Sequence, residues 1–262
     1  MPLLSVLHGG AVATAHAVES ANIVGYQNIN IPSGYTIATP TFKDVTSGGF
    51  KLSQILPLHQ DGDEFGTSGS RRCNGVIVVN KINAEGNYTK AYSYFTLATK
   101  LGWYDDDGVK IEGENDVPLL SGEALLVNNG YKNQPVLFRV AGEVDLVCLN
   151  GIPSGYALYG NSTPSTIKLS EIVMLHQDGE PFGTSGSRRC NGVIVINKIS
   201  AEGNYTDAYS YFTLATKEGW YKDDGTKVEG EADVTFAPGE AFLINNGYKN
   251  QPVKIQLPTP VE

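Results

Sequence analysis

Apolar and polar positions in this chain alternate in short runs, and the runs have the length of strands. Residues 22–31, NIVGYQNINI, alternate weakly and stop at Pro32. Residues 75–82, GVIVVNKI, form a β-branched run between an Asn-Gly turn and the turn Asn83-Ala84-Glu85-Gly86. In 90–99, KAYSYFTLAT, strand periodicity puts Tyr92 and Tyr94 on one face and Phe95 and Leu97 on the other. GEALLVNN (122–129) and QPVLFRVAGEV (134–144) flank the loop NGYKN, which reads as a hairpin connection. Helical spacing occurs only in KLSQILPL (51–58) and KLSEIVML (168–175), about two turns each. The prediction is all-β, as a sandwich or partly open barrel, with one short helix in each half.

The halves are copies. Segment 59–136 matches 176–253 at a constant offset of 117 without a gap, and about four positions in five are identical. Upstream, Ile31-Pro-Ser-Gly-Tyr35 matches Ile152-Pro-Ser-Gly-Tyr156 at an offset of 121. Two tandem modules follow, 18–142 and 143–262. Val79/Ile196, Ile111/Val228, Leu125/Phe242 and Val127/Ile244 exchange one apolar residue for another, as core positions do. Lys90/Asp207, Leu101/Glu218 and Asp105/Lys222 change polarity, as exposed ones do. PVLFRVAGEV runs into DLVCLNGIPSGY without a linker, so the modules are expected to pack tightly or share a strand.

Composition narrows the function classes. At 41% hydrophobic and 18% charged the chain is neither disordered nor membrane-embedded, and no apolar stretch is long enough to span a bilayer. The net charge of −9, with basic residues clustered only in two Arg-Arg pairs, argues against nucleic acid. Residues 1–17, MPLLSVLHGGAVATAHA, are apolar and small and end in Ala15-His16-Ala17. This A-x-A pattern before Val18-Glu19-Ser20 reads as the remnant of a signal peptide.

Several short signatures together resemble a widespread module of secreted bacterial surface proteins. They are Gly25-Tyr26, the start IPSGYTIA (31–38), LSQILP (52–57), and SGEALLVNN (121–129) before PVLFRVAGEV. Pro238-Gly239-Glu240-Ala241-Phe242 fits the resemblance more closely than Ser121-Gly122-Glu123-Ala124-Leu125. The resemblance implies a β-rich, exported module of unassigned function, and it implies no catalytic residue.

Candidate chemistry is sparse. His59 and His176 occupy equivalent His-Gln-Asp-Gly turns, with no HExxH, CxxC or GxSxG nearby. Asp105, Asp106 and Asp107 make the best calcium candidate, with a solvated turn as the alternative. Arg71 and Arg72, repeated as Arg188 and Arg189, lie in the run Thr67–Gly75 and could hold an anion or pair with local carboxylates. Trp103 and Trp220 are sugar-stacking candidates or core residues. Cys73, Cys148 and Cys190 are disulfide candidates: a Cys73–Cys148 bond would leave Cys190 to link chains, and three buried thiols are the alternative.

The reading is a secreted, non-enzymatic structural subunit without a cofactor. Head-to-tail contact between chains would repeat the internal junction and build a filament, and the Val18–Ile31 segment could add as a strand to a neighbour. A carbohydrate-binding or adhesive protein with two equivalent sites is the alternative.

Overall fold

The computed structural model describes residues 24–43, 50–144 and 149–258. The signal-peptide segment 1–17 and Cys148 lie outside them. The first repeat contains β1 (Val24–Ile31), β2 (Gly34–Ala38), β3 (Phe42–Lys43), β4 (Phe50–Lys51), β5 (Leu56–His59), β6 (Asn74–Ile82), β7 (Tyr88–Leu97), β8 (Lys100–Asp105), β9 (Pro118–Leu119), β10 (Leu125–Asn129) and β11 (Val136–Val144). The second contains β12 (Leu149–Ile152), β13 (Gly155–Gly160), β14 (Ile167–Lys168), β15 (Val173–His176), β16 (Asn191–Ile199), β17 (Tyr205–Leu214), β18 (Lys217–Lys222), β19 (Thr235–Phe236), β20 (Ala241–Asn246) and β21 (Val253–Gln256).

The chain is all-β, and its named strands pair only within their own repeat. The first repeat forms the sheet β2-β10-β6-β7-β8 and a sheet in which β11 pairs with β1, β3 and β5. The second forms β13-β20-β16-β17-β18 and β12-β21-β15. Every ladder is antiparallel. Ile77, Val79, Leu125 and Val127 of one sheet share a core with Ile31, Val136, Phe138 and Val140 of the other, which makes the pair sandwich-like.

The helix expected in each half is a correction. Leu52–Gln54 and Leu169–Glu171 are single 3-10 turns, and the apolar residues after them enter β5 and β15. Leu58 and Met174 are buried as strand residues in ladders with β11 and β21. Tertiary pairing overrides a short helical pattern because two turns cannot satisfy their own backbone.

The two repeats pack back to back through the large sheets. β10 and β20 lack alternation because both of their faces are covered. Leu125 and Val127 point into the first core, while Ala124 and Leu126 join a separate cluster with Ile37, Leu158, Ala241 and Leu243. Tyr35, Tyr156, Ile82 and Ile199 pack around that cluster. Each of these residues has its repeat equivalent in the same cluster, so the junction has a pseudo-two-fold axis.

The backbone obeys the same symmetry. Tyr35 N donates to Ala201 O at 2.7 Å, and Tyr156 N donates to Ala84 O at 2.8 Å. Thr39 N donates to Gly239 O and Gly160 N to Gly122 O, both at 3.0 Å. Glycine is required at Gly34 and Gly155, with φ of +89° and +90°. A Cβ there would lie 2.4 Å from Ala201 O and 2.2 Å from Ala84 O. The contact is therefore isologous. Repeating it between chains gives a closed pair and not the open filament expected of a head-to-tail junction. The β1 residues offered as a donor strand are paired within their own repeat, in register from Val24↔Glu143 to Ile31↔Val136.

Candidate functional site

Two identical runs, 65–78 and 128–136, meet at one end of each repeat. β6 opens with a bulge between Asn74 and Ile77, where Gly75 adopts φ +72°. A Cβ on Gly75 would lie 2.6 Å from the Phe95 ring, so glycine alone lets this strand close on β7. The bulge brings Asn74 and Val76 beside the β10–β11 loop, and Gly130 N donates to Val76 O at 2.9 Å. The loop turns at Lys132 and Asn133, with φ of 48° and 53°, closed by Gln134 N donating to Tyr131 O at 2.9 Å. Tyr131 is buried, and its hydroxyl donates to Ser70 O at 3.2 Å. The Lys132 ammonium also bonds Ser70 O and lies 5.2 Å from the Tyr131 ring.

A shallow cleft of about 260 Å³ results, lined by Ser70, Arg72, Asn74, Val76 and Lys132 among others. Its equivalent of about 350 Å³ is lined by Ser187, Arg189, Asn191, Val193 and Lys249. The two arginines of each pair part company. Arg71 bonds Asp61 and reaches Asp63 at 2.9 Å, and Arg188 bonds Asp178. The Asp63 amide, and after it Arg71, hold the Asp61 carboxyl below the usual carboxylate range. Among the described residues, Arg72 and Arg189 have no such ion-pair partner.

The other candidates fare differently. Trp103 and Trp220 are 2% and 1% exposed, and their indole N–H groups donate to Ile55 O and Ile172 O at 2.9 Å. They are core residues and offer no stacking platform, which corrects the sugar-binding candidacy. Tyr92, Tyr94 and Thr96 share that buried face of β7. Asp105 accepts from Val109 N at 2.8 Å and lies 3.6 Å from Lys90, and Lys222 replaces it in the second repeat. No group of three or more His, Cys, Asp or Glu side chains fit to hold a metal occurs among the described residues, so Asp105, Asp106 and Asp107 are turn residues.

Cys73 and Cys190 are fully buried free thiols, donating to Tyr94 O and Tyr211 O at 3.2 Å. Burial pushes both thiols up, the opposite of activation, and denies Cys190 the accessibility that a link between chains requires. His59 is buried between Phe65 and Tyr131, at ring distances of 4.2 and 5.2 Å, and its Nε2 lies 3.3 Å from Arg71 O. It props the candidate loop.

A further cavity, about 580 Å³, lies along one side of the junction between Pro118, Leu120, Pro153 and Tyr156. Lys81 and Glu123, the charged residues lining it, neutralise each other at 2.6 Å. The loop cleft was half legible in the sequence: the Arg-Arg run stood out, but Lys132 did not. The signal that could have found it is the identity of the run 128–136 in both repeats.

No family model, no curated protein and no solved structure matches this chain.

Proposed function

We propose that this chain is an exported, non-enzymatic adhesive or carbohydrate-binding protein that presents two equivalent sites from repeats packed back to back. The observation that carries this reading is the pair of loop clefts, alike in every lining residue, at Arg72 and Lys132 and again at Arg189 and Lys249. Two equal sites on one body raise avidity for a multivalent surface. Cys73, Cys190 and His59 are buried in packing, which favours binding over catalysis. The apolar, small-residue segment 1–17 supports export. A glycan array tests the reading: binders are expected, and their loss on deleting both loops. An array without a single binder would overturn it.

A second reading, a structural subunit of an extracellular assembly, is favoured by Tyr88 and Tyr205. They are 64% and 65% exposed and sit near each other at the junction rim. Light scattering and electron microscopy separate the two, because a strictly monomeric protein at high concentration excludes assembly.

A further inference from the structure

We propose that the ligand of each loop cleft is an acidic saccharide, its carboxylate or sulfate held between Arg72 and Lys132 and between Arg189 and Lys249. This deepens the binding reading above and rests on it.

Three independent features point to an anion. The first is charge. In a chain of net charge −9, each cleft gathers a guanidinium and an ammonium, and among the described residues no carboxylate pairs with either. The neighbouring Arg71 shows the alternative, since it is paired with Asp61 and Asp63. The second is strain. Lys132, Asn133, Lys249 and Asn250 are the non-glycine residues with positive φ among the described residues. Turns of this kind favour Asn-Gly, and a lysine at the first central position costs stability. The strain holds the ammonium at the cleft wall, bonded to Ser70 O or Ser187 O, and such outliers concentrate where a ligand is held. The third is retention. The repeats differ at exposed positions such as Lys90/Asp207, Leu101/Glu218 and Val109/Thr226, yet both runs that build the cleft are unchanged.

The saccharide part follows from the rest of the lining. Val76 and Val193 are 40% and 42% exposed and stand beside the cations. An apolar patch next to a charge matches a pyranose, whose C–H face packs on carbon while its acid group meets the guanidinium. Asn74 and Asn191 add a donor and an acceptor for hydroxyls. A free phosphate would use the cations and leave the valine idle.

Titration calorimetry on the full chain tests this with a short oligogalacturonate, its methyl-esterified neutral form and a sulfated oligosaccharide of heparin type. The acidic forms are expected to bind at two sites per chain, more weakly as salt rises, with the better of the two identifying the acid. Arg72→Ala with Arg189→Ala should weaken binding about ten- to a hundred-fold, with an unchanged circular dichroism spectrum. Lys132→Gly with Lys249→Gly should weaken binding while raising the melting temperature, a combination that a merely structural loop would not produce. If the neutral ester binds at two sites as tightly as the acid, bivalent glycan binding survives and the acidic class is overturned. If the arginine variant binds acids like the parent, the site is overturned. If no saccharide binds, the proposal and the binding reading fall together.

Discussion

β10 and β20 carry two kinds of buried position, and duplication has treated them differently. On the face turned to its own core, Leu125 stands opposite Phe242 in the alignment and Val127 opposite Ile244. On the face turned to the other repeat, Ala124 and Leu126 are matched by Ala241 and Leu243 without change. A core position answers only to neighbours in its own repeat. Phe242 packs on Phe236 at 5.0 Å, and the first repeat has leucine at both places. A junction position answers to both repeats at once, because the pseudo-two-fold axis sets equivalent residues against each other. Cores can drift by compensation; at the junction Ala124 and Leu126 are kept, and the exchange there is the near-isosteric Ile37 for Leu158.

The largest test of this contrast is Leu126→Ala combined with Leu243→Ala. Each truncation of a buried leucine costs about 2–5 kcal/mol. Because the pair shares one cluster the costs will not add simply, but a loss of at least about 4 kcal/mol is expected. In calorimetry a single melting transition should split into two as the repeats uncouple.

Gly34→Ala comes next. The new Cβ would meet Ala201 O, and the positive φ disfavours it as well, so roughly 3 kcal/mol should be lost. Gly62→Ala is the control. Its φ is +86° but nothing lies within 4 Å, so only the backbone cost of about 1 kcal/mol is expected. Equal losses at the two positions would mean that the junction contact contributes nothing.

The cores are read separately by alkaline titration. Burial pushes Tyr94 and Tyr211 up to about 12 from 10.0, and it raises the Cys73 and Cys190 thiols as well. Groups raised in the folded state contribute stability that is complete below their unfolded values and lost as pH rises through the folded ones. Stability should therefore fall between about pH 9 and about pH 12, by roughly 2–3 kcal/mol per tyrosine at the end of the window, and the melting temperature with it. Tyr94→Phe should flatten the curve, and an unchanged slope would place the titrating groups elsewhere.

The smallest effect belongs to the drifting face. Phe242→Leu restores the first repeat's residue and should cost about 1–1.5 kcal/mol, since volume changes little and neighbours relax. Leu243→Phe, one residue on, should cost more, about 1–3 kcal/mol, because it overpacks a surface that the other repeat also occupies. Denaturant melts of the two variants decide whether that order holds.

Much of this protein was legible in its sequence. The strand runs, the duplication and the turn chemistry are local, set by β-branched and aromatic runs between Gly and Asn punctuation, and they needed no tertiary information. Val79 read as core from its exchange with Ile196 in the second repeat and is buried. What stayed hidden depended on distance. The helical spacing of KLSQILPL gave way because β11 offered a ladder that a short segment could not refuse. Trp103 became core and not platform once β8 folded against the turn that ends at Ile55. The direction of the junction, back to back, depends on which sheet face finds a partner, and no periodicity encodes that. The loop cleft joins residues 62 apart, Ser70 and Lys132. Strand patterns are fixed by neighbours in the chain, whereas sites and interfaces are fixed by neighbours in space, and only folding brings those together.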